Sequence, residues 1–254
     1  MAHLDRGGVK IYYEAHGDRT SPTLLLSHGY SATTAMWTPQ IDAFKRDYQL
    51  VLWDVRGHGQ SDSPDDPALY SEAHSVADMA ALLDAVGAKS AFIGGLSLGG
   101  YLSLAFHAQH SARTRALLLF DTGPGYRNDN AREGWNKMAR SRAAELESKG
   151  LAALGTSHEV TVSRHRSAKG LALAARGILV QHDARVIESL PKIAVPTLVL
   201  VGAKDEPFLG ATDYMAAKIP GATKVVLDGA GHASNLDAPK AFNDTVKTFL
   251  ASVR

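Results

Sequence analysis

The chain has 254 residues, of which 45% are hydrophobic, and this is enough for the core of one large domain. Its formal net charge is +1, so neither nucleic acid nor an anionic membrane surface is an expected partner. The absence of cysteine excludes disulfides, thiolate metal sites and a cysteine nucleophile.

The stretch MAHLDRGGVK at the N-terminus lacks the apolar run of a secretory signal. No apolar run along the chain approaches the ~18 residues of a membrane-spanning helix. We therefore expect a soluble, cytoplasmic protein.

Seven short apolar runs bounded by turn residues predict β-strands. In chain order they are VKIYYEAHG near position 9, TLLLSHG near position 23, YQLVLWD ending at Asp54, SAFIGG ending at Gly95, RALLLFD ending at Asp121, TLVLVG ending at Gly202 and TKVVLD ending at Asp228. Helical periodicity falls between them, at about 71–86, 98–110, 209–218 and 237–252. The alternation predicts an α/β fold whose mostly parallel sheet carries helices on both faces.

One long segment, 122–190, interrupts the alternation. It contains no convincing strand, and GWNKMARSRAAELESKG and SAKGLALAARGILVQHD within it read as amphipathic helices. It leaves the predicted sheet after one strand and returns to it before the next, so we expect it at one rim of the sheet. We interpret 1–121 and 191–254 as the core and 122–190 as a helical cap or lid.

The stretch Gly95-Leu96-Ser97-Leu98-Gly99 follows a predicted strand and opens a predicted helix. A tight strand-to-helix turn would hold Ser97 in a strained conformation with its hydroxyl exposed, and glycines two residues away on each side would avoid collisions. The free Leu98 N–H at the start of the helix could then meet an oxyanion. The same residues also suit a serine that caps the helix, and this segment alone does not separate the two interpretations.

A nucleophilic serine needs a base, and the base needs a group that orients it. His232 follows the last predicted strand, and Asp205 follows the strand before it. Both therefore belong at the strand ends where Ser97 is predicted. We favour Asp205 as the orienting acid because its loop has room to reach across, and Asp121 is the alternative. Gly29 permits a turn that aims the Tyr30 N–H at Ser97 as a second oxyanion donor.

Taken together, the residues resemble the α/β-hydrolase superfamily. The carrying stretches are His28-Gly29-Tyr30, Asp54-Val-Arg-Gly-His-Gly-Gln-Ser61, Gly95-Leu-Ser97-Leu-Gly99-Gly100, Asp205 and Gly231-His232. They follow the family order of nucleophile, acid and histidine, over nearly the whole chain.

The resemblance implies an α/β-hydrolase fold with a mostly parallel eight-stranded sheet and a helical cap. It implies Ser97 as nucleophile, His232 as base, Asp205 as orienting acid, and the N–H groups of Leu98 and Tyr30 as the oxyanion hole. Asp54, Arg56 and His58 belong to a structural turn in this family, and His28 is expected to organise its loop.

Relatives of this fold that use an aspartate nucleophile, such as haloalkane dehalogenases and epoxide hydrolases, are excluded by Ser97. Within the serine group the chain is similar to small esterases and 3-oxoadipate enol-lactonases. The leading hypothesis is a serine hydrolase that cleaves small carboxylic esters or lactones without a cofactor. The alternatives are a carbon–carbon bond hydrolase, an acyltransferase or perhydrolase, and a ligand-binding signalling protein without turnover.

Three apolar side chains, Trp37, Trp135 and Met138, are candidates to line a substrate pocket, although single residues of these types more often belong to a core. An arginine of the 122–190 segment could receive a carboxylate-bearing substrate, but a solvated surface explains these arginines better. His107 and His110 are spaced like a metal pair without matching acidic ligands, and no metal is expected.

Overall fold

The computed structural model describes residues 1–253, and its centre is an eight-stranded sheet. The strands, in chain order, are β1 (Ala2–Asp5), β2 (Lys10–His16), β3 (Thr23–Ser27), β4 (Gln49–Trp53), β5 (Ala91–Leu96), β6 (Thr114–Phe120), β7 (Thr197–Gly202) and β8 (Thr223–Leu227). Their order across the sheet is β1-β2-β4-β3-β5-β6-β7-β8. The pairs from β4 to β8 are parallel, whereas β1–β2 and β2–β4 are antiparallel. The predicted mostly parallel sheet is thus confirmed.

Seven of these strands correspond to the predicted apolar runs, and β1 does not. Its four residues, AHLD, alternate between half-buried and exposed positions at the edge of the sheet. An edge strand this short and polar lacks the continuous apolar run that marks a central strand.

Side chains alternate between the two faces of the sheet, as the pleat requires. On β3, Leu25 packs into one apolar cluster with residues of the helices that cover that face, whereas Leu24 and Leu26 pack into the cluster on the other face. All three leucines are at most 1% exposed. The central strands are therefore buried on both sides, which fixes their register and the positions of the loops that follow them.

Ten α-helices accompany the sheet in the described chain. They are α1 (Thr38–Phe44), α2 (Glu72–Ala85), α3 (Leu98–Gln109), α4 (Asp129–Lys149), α5 (His158–Thr161), α6 (Ala168–Ala174), α7 (Arg185–Ser189), α8 (Glu206–Lys218), α9 (Ser234–Asp237) and α10 (Pro239–Ser252). Helices α2 and α3 pack on one face of the sheet, and α1 and α10 pack on the other. Helix α1 was not predicted, because seven residues that include a proline give no clear helical period.

The segment 122–190 carries α4 to α7 and contains no strand. Its longest helix, α4, buries only Ala139, Ala143 and Leu146. Ala143 and Leu146 pack with Leu171 and neighbouring residues of α6 in a small apolar cluster of their own. Most of the remaining surface of α4 faces solvent.

The turn at residues 57–61 fastens the middle of this segment, just before α6, to the rest of the chain. The Arg166 guanidinium donates to the carbonyl oxygens of Gly59, Gln60 and Ser61 at 3.2, 2.5 and 3.0 Å. His165 bonds to the Gly59 N–H and to the Ser31 carbonyl. We call these contacts the Arg166 anchor, and they hold the segment over the carboxyl ends of the strands.

Candidate active site

The site lies where the strand order reverses. Strand β3 has β4 on one side and β5 on the other, so the chain leaves β3 toward one edge of the sheet and later returns beside it to continue toward the other edge. Loops at the carboxyl ends of parallel strands diverge at such a point and leave a crevice between them. The loop after β3 carries Tyr30, and the turn after β5 carries Ser97.

Ser97 occupies a sharp turn between β5 and α3. Its backbone has φ 53° and ψ −125°, in the positive-φ region that non-glycine residues rarely adopt. The side chain makes no capping hydrogen bond to α3. The helix-cap interpretation of this serine is therefore wrong, and its hydroxyl stays available at the mouth of the crevice.

The glycines around Ser97 are required by close backbone contacts. A Cβ atom at Gly95 would lie 2.5 Å from the carbonyl oxygen of Gly99, and one at Gly99 would lie 2.8 Å from that of His28. Real Cβ atoms essentially never approach other atoms this closely. The neighbours are backbone atoms that cannot rotate away, so the contacts could not be relieved. The two glycines thus let strand, turn and helix approach closely enough to form this conformation.

Two backbone N–H groups flank the hydroxyl. In residues 1–253, neither the Leu98 N–H nor the Tyr30 N–H donates a hydrogen bond to a protein acceptor. Leu98 begins α3, where the helix dipole adds partial positive charge. The Tyr30 loop is close, since a Cβ at Gly29 would lie 3.3 Å from the Ser97 Cβ. The structure thus brings the loop of Tyr30 and the first residue of α3, which the sequence predicts as the sources of the oxyanion donors, next to Ser97.

His232 and Asp205 form a hydrogen-bonded pair. The distance between His232 Nδ1 and Asp205 Oδ2 is 2.8 Å, and Asp205 is 4% exposed. The imidazole also stacks on Phe208, with the ring centres 5.0 Å apart. The carboxylate and the aromatic ring together fix the orientation of the imidazole, and Nε2 is left for another partner.

Opposing effects act on the pKa of His232. Burial lowers the pKa, because it disfavours the charged imidazolium, but the hydrogen bond and the charge of Asp205 raise it, as do the charges of Asp121 and Glu159. The net result is a pKa above the usual 6.5. Such an imidazole is a stronger base than a free histidine, and it becomes neutral at correspondingly higher pH.

Asp121, the alternative acid, has other partners. One carboxyl oxygen accepts the Gly202 N–H at 2.7 Å, and the other accepts the Ser234 hydroxyl. Burial raises the pKa of Asp121 to about 7, although these hydrogen bonds and the charge of His232 act in the opposite direction. Asp121 therefore belongs to a separate set of hydrogen bonds, which ties the end of β7 to the residues that follow His232.

The stretch from Asp54 to Ser61 forms a structural turn. Asp54 accepts the N–H groups of Thr34 and Gln60 at 2.7 and 2.8 Å, so its carboxylate closes two loops. His28 bonds to the Gly29 carbonyl through Nδ1 and to the Val55 N–H through Nε2. Burial lowers the pKa of His28 to about 4, so this histidine is a neutral organiser of its loop.

Two cavities open at Ser97. The narrow cavity measures about 80 Å³ and lies between α3, residues 122–126 and α8. The wide cavity measures about 640 Å³ and lies under α4 and residues 153–160. The wide cavity is lined by Tyr30, Asp205 and His232, which are absent from the walls of the narrow one.

The predicted pocket residues fall into two groups. Trp135 lines both cavities, and Met138 lines the wide one. Trp37 lines neither, because it is fully buried in the core, where it packs against Phe120 and Phe242. The assignment of Trp37 to a substrate pocket is therefore corrected: an isolated tryptophan fills a core as readily as a pocket wall.

Sequence reasoning missed two side chains at the site. Phe208 follows Asp205 by three residues, and its position in the loop with the proposed acid was the available signal. Gln181 lines the narrow cavity from within the 122–190 segment. No sequence signal marks Gln181, because its position depends on how this segment packs.

Two further features are absent from residues 1–253. Within that range, no three side chains of the types that bind metals lie close enough together to hold one. No helix there combines the length and the apolar character needed to cross a bilayer.

The sequence and the fold were compared with those of known proteins. The model of the alpha/beta hydrolase family matches residues 24–245. A 3-oxoadipate enol-lactonase of Acinetobacter baylyi is 28% identical over 271 residues, which cover 98% of this chain and 96% of that protein. The enol-lactonase structure from Burkholderia xenovorans LB400 superimposes with a TM-score of 0.78 at 26% identity, covering 98% and 99% of the two chains.

A thermophilic esterase from Thermogutta terrifontis superimposes with a TM-score of 0.83 at 25% identity, covering 99% of this chain and 97% of that one. The chain is similar to these proteins over nearly its whole length and theirs. With the eight-stranded sheet, its strand order and the family model in agreement, the chain belongs to the alpha/beta hydrolase family.

Proposed function

We propose that this protein is a serine hydrolase that cleaves small carboxylic esters or lactones through an acyl-enzyme intermediate. The observation that carries the proposal is the 2.8 Å hydrogen bond between His232 and Asp205 beside a cavity that Ser97 also lines. The similarity to an enol-lactonase and to an esterase supports the same class of reaction.

In this mechanism the Ser97 hydroxyl attacks the carbonyl carbon while His232 Nε2 takes its proton. Asp205 keeps the Nδ1 proton in place and stabilises the imidazolium. The N–H groups of Leu98 and Tyr30 donate to the oxyanion. His232 then returns the proton to the leaving alcohol, and a water activated by the same histidine releases the acid. We further propose that 122–190 acts as a cap that encloses the substrate.

The geometry favours preorganised catalysis. The strained turn and the close backbone contacts hold the serine in one place, so little reorganisation is needed when the oxyanion forms. Removal of one oxyanion donor typically costs ~3–4 kcal/mol of transition-state stabilisation. Because both proposed donors are backbone groups, side-chain substitutions at these two positions should cost less than a distortion of either turn.

The test is hydrolysis of short p-nitrophenyl esters by the wild type and by Ser97→Ala. We expect Ser97→Ala to lose at least about 10³-fold in kcat, because the nucleophile is gone. The matched control is Ser252→Ala, an exposed serine on α10, which should retain wild-type activity. Equal activity of wild type and Ser97→Ala would refute the proposal.

A pH profile provides a second measurement. The base must be neutral to work, and the pKa of His232 is raised above 6.5, so kcat/KM should rise with pH through a midpoint above that value. If the wild type labels with a fluorophosphonate but does not turn over esters or lactones, carbon–carbon cleavage and acyl transfer replace this proposal. Rapid multiple turnover excludes a pure ligand-binding role.

A further inference from the structure

The two cavities at Ser97 differ in their access to the proposed base. His232 lines only the wide cavity. In an acyl transfer the same imidazole must donate a proton to the departing oxygen, so the leaving alcohol has to lie on the side of the histidine. The wide cavity therefore suits the alcohol part, and the narrow cavity suits the acyl part.

The narrow cavity has a mostly apolar wall, and one of its lining side chains has a buried polar atom without a partner. Leu98, Pro124, Trp135, Leu179 and Phe208 are among its lining residues. Gln181 also lines it, is 7% exposed, and has a buried Oε1 atom that no donor in residues 1–253 reaches. A buried polar atom without a partner costs roughly 1–3 kcal/mol, so the unpaired carboxamide oxygen of Gln181 points to a ligand group that would pair with it.

The backbone around Gln181 is held so that its side chain is presented to the cavity. The Gln181 N–H donates to Asn136 Oδ1 at 2.7 Å, and Asn136 Nδ2 donates to the Gln181 carbonyl at 2.8 Å. Gly125 makes room for the carboxamide: a Cβ there would lie 2.8 Å from Gln181 Oε1, and the φ of +88° at this residue also favours glycine.

We propose that Gln181 is a specificity-determining residue that hydrogen-bonds a hydroxyl on the acyl part of the substrate. The preferred substrates are then hydroxyacyl esters or lactones rather than plain alkyl ones. A hydroxyl suits the site because it can donate to an amide oxygen and accept from an amide N–H, once the carboxamide, whose Oε1 is covered in the structure, rotates toward it. A plain acyl chain leaves the carboxamide unpaired, and sites of this kind reject such analogues.

This inference rests on the proposed hydrolase function, and the experiment separates the two. The probes are p-nitrophenyl 3-hydroxybutyrate and 6-hydroxyhexanoate, each paired with the unsubstituted butyrate or hexanoate. For each pair, kcat/KM of the hydroxyl ester is divided by that of the unsubstituted ester. This ratio is then divided by the same ratio for hydroxide-catalysed hydrolysis, which removes the difference in intrinsic reactivity between the two esters. The leaving group is the same throughout, so the ratio reports the acyl side alone.

We expect the corrected ratio of the wild type to favour the hydroxyl ester by about tenfold in at least one pair, which corresponds to one hydrogen bond and the avoided unpaired group. In Gln181→Met and Gln181→Leu, which keep the size of the side chain and remove its amide, the ratio should fall to within about threefold of unity. The control Gln109→Met changes an exposed glutamine at the end of α3 and should keep the wild-type ratio.

The inference is overturned if the wild type shows no preference in either pair, a result that needs no variant, or if Gln181→Met keeps the preference. Loss of hydrolysis in Ser97→Ala together with an unchanged ratio in Gln181→Met would remove this inference and leave the proposed function standing. Full hydrolysis by Ser97→Ala would remove the proposed function itself.

Discussion

The turn that carries Ser97 and the helical segment 122–190 face the same cavities, but they are built differently. In α3, which follows the serine, ten of twelve residues are buried, whereas α4 buries three of 21. A larger side chain near Ser97 would collide with backbone atoms, whereas a larger side chain at most positions of α4 would extend into solvent. The proposed reacting groups are thus held by parts of the chain that tolerate little change, whereas the walls of the cavities belong largely to a part with more exposed surface.

The largest effect is expected for Asp205→Asn, which changes one of the proposed reacting groups. An amide cannot hold His232 in the tautomer needed for a base, and the corresponding change in a triad costs on the order of 10⁴ in kcat. Steady-state kinetics on a p-nitrophenyl ester measure this loss of kcat. Asp121→Asn serves as the matched control, because Asp121 bonds to Gly202 and Ser234, and it should lose far less. The reverse order of the two variants would make Asp121 the acid.

A pair of glycine substitutions tests whether the Ser97 turn and α4 differ in their tolerance of an added side chain. Gly99→Ala places a Cβ 2.5 Å from the Ser27 carbonyl carbon, and we expect it to destabilise the protein by at least ~2 kcal/mol. Gly134→Ala, on the exposed face of α4 with nothing within 4 Å of the new Cβ, should instead stabilise by ~0.5–1 kcal/mol through helix propensity. Thermal unfolding of both variants measures the difference. Similar shifts in Tm would show that the two regions do not differ in tolerance.

A third prediction concerns the pH dependence of stability. The pKa of Asp121 is raised from 3.8 to about 7, so the folded state holds a proton that the unfolded chain releases. Its contribution is therefore fully present below pH 3.8 and is lost as the pH rises to about 7. Asp121→Asn removes this titration, so the Tm of the variant relative to wild type should increase over that window. A difference that is constant with pH would contradict the burial argument.

Much of the fold and of the candidate site could be predicted from the sequence, because the signals are local. The apolar run before Ser97 and the glycines around it specify a strand, a turn and a helix, and the loops after β7 and β8 place Asp205 and His232 at the same end of the sheet. Each of these conclusions depends on a few consecutive residues and one rule of sheet topology.

The remainder depends on packing between distant parts of the chain. Trp37 was misassigned because its partners, Phe120 and Phe242, are far away in sequence. Gln181 and the division into two cavities depend on where 122–190 packs. Its helical periodicity shows which residues are buried, but not against which part of the core they pack. Strand β1 was missed because antiparallel pairing with β2, rather than its own composition, makes it a strand.

The Arg166 anchor has a consequence for engineering by segment exchange. One guanidinium satisfies three consecutive carbonyl oxygens that belong to the other part of the chain, so a transplanted segment without an equivalent arginine would leave that turn short of donors. Libraries that retain 163–170 and vary 153–160 would keep the attachment point while remodelling the roof of the wide cavity. New selectivity is therefore best sought in 153–160, with the Arg166 anchor inherited intact.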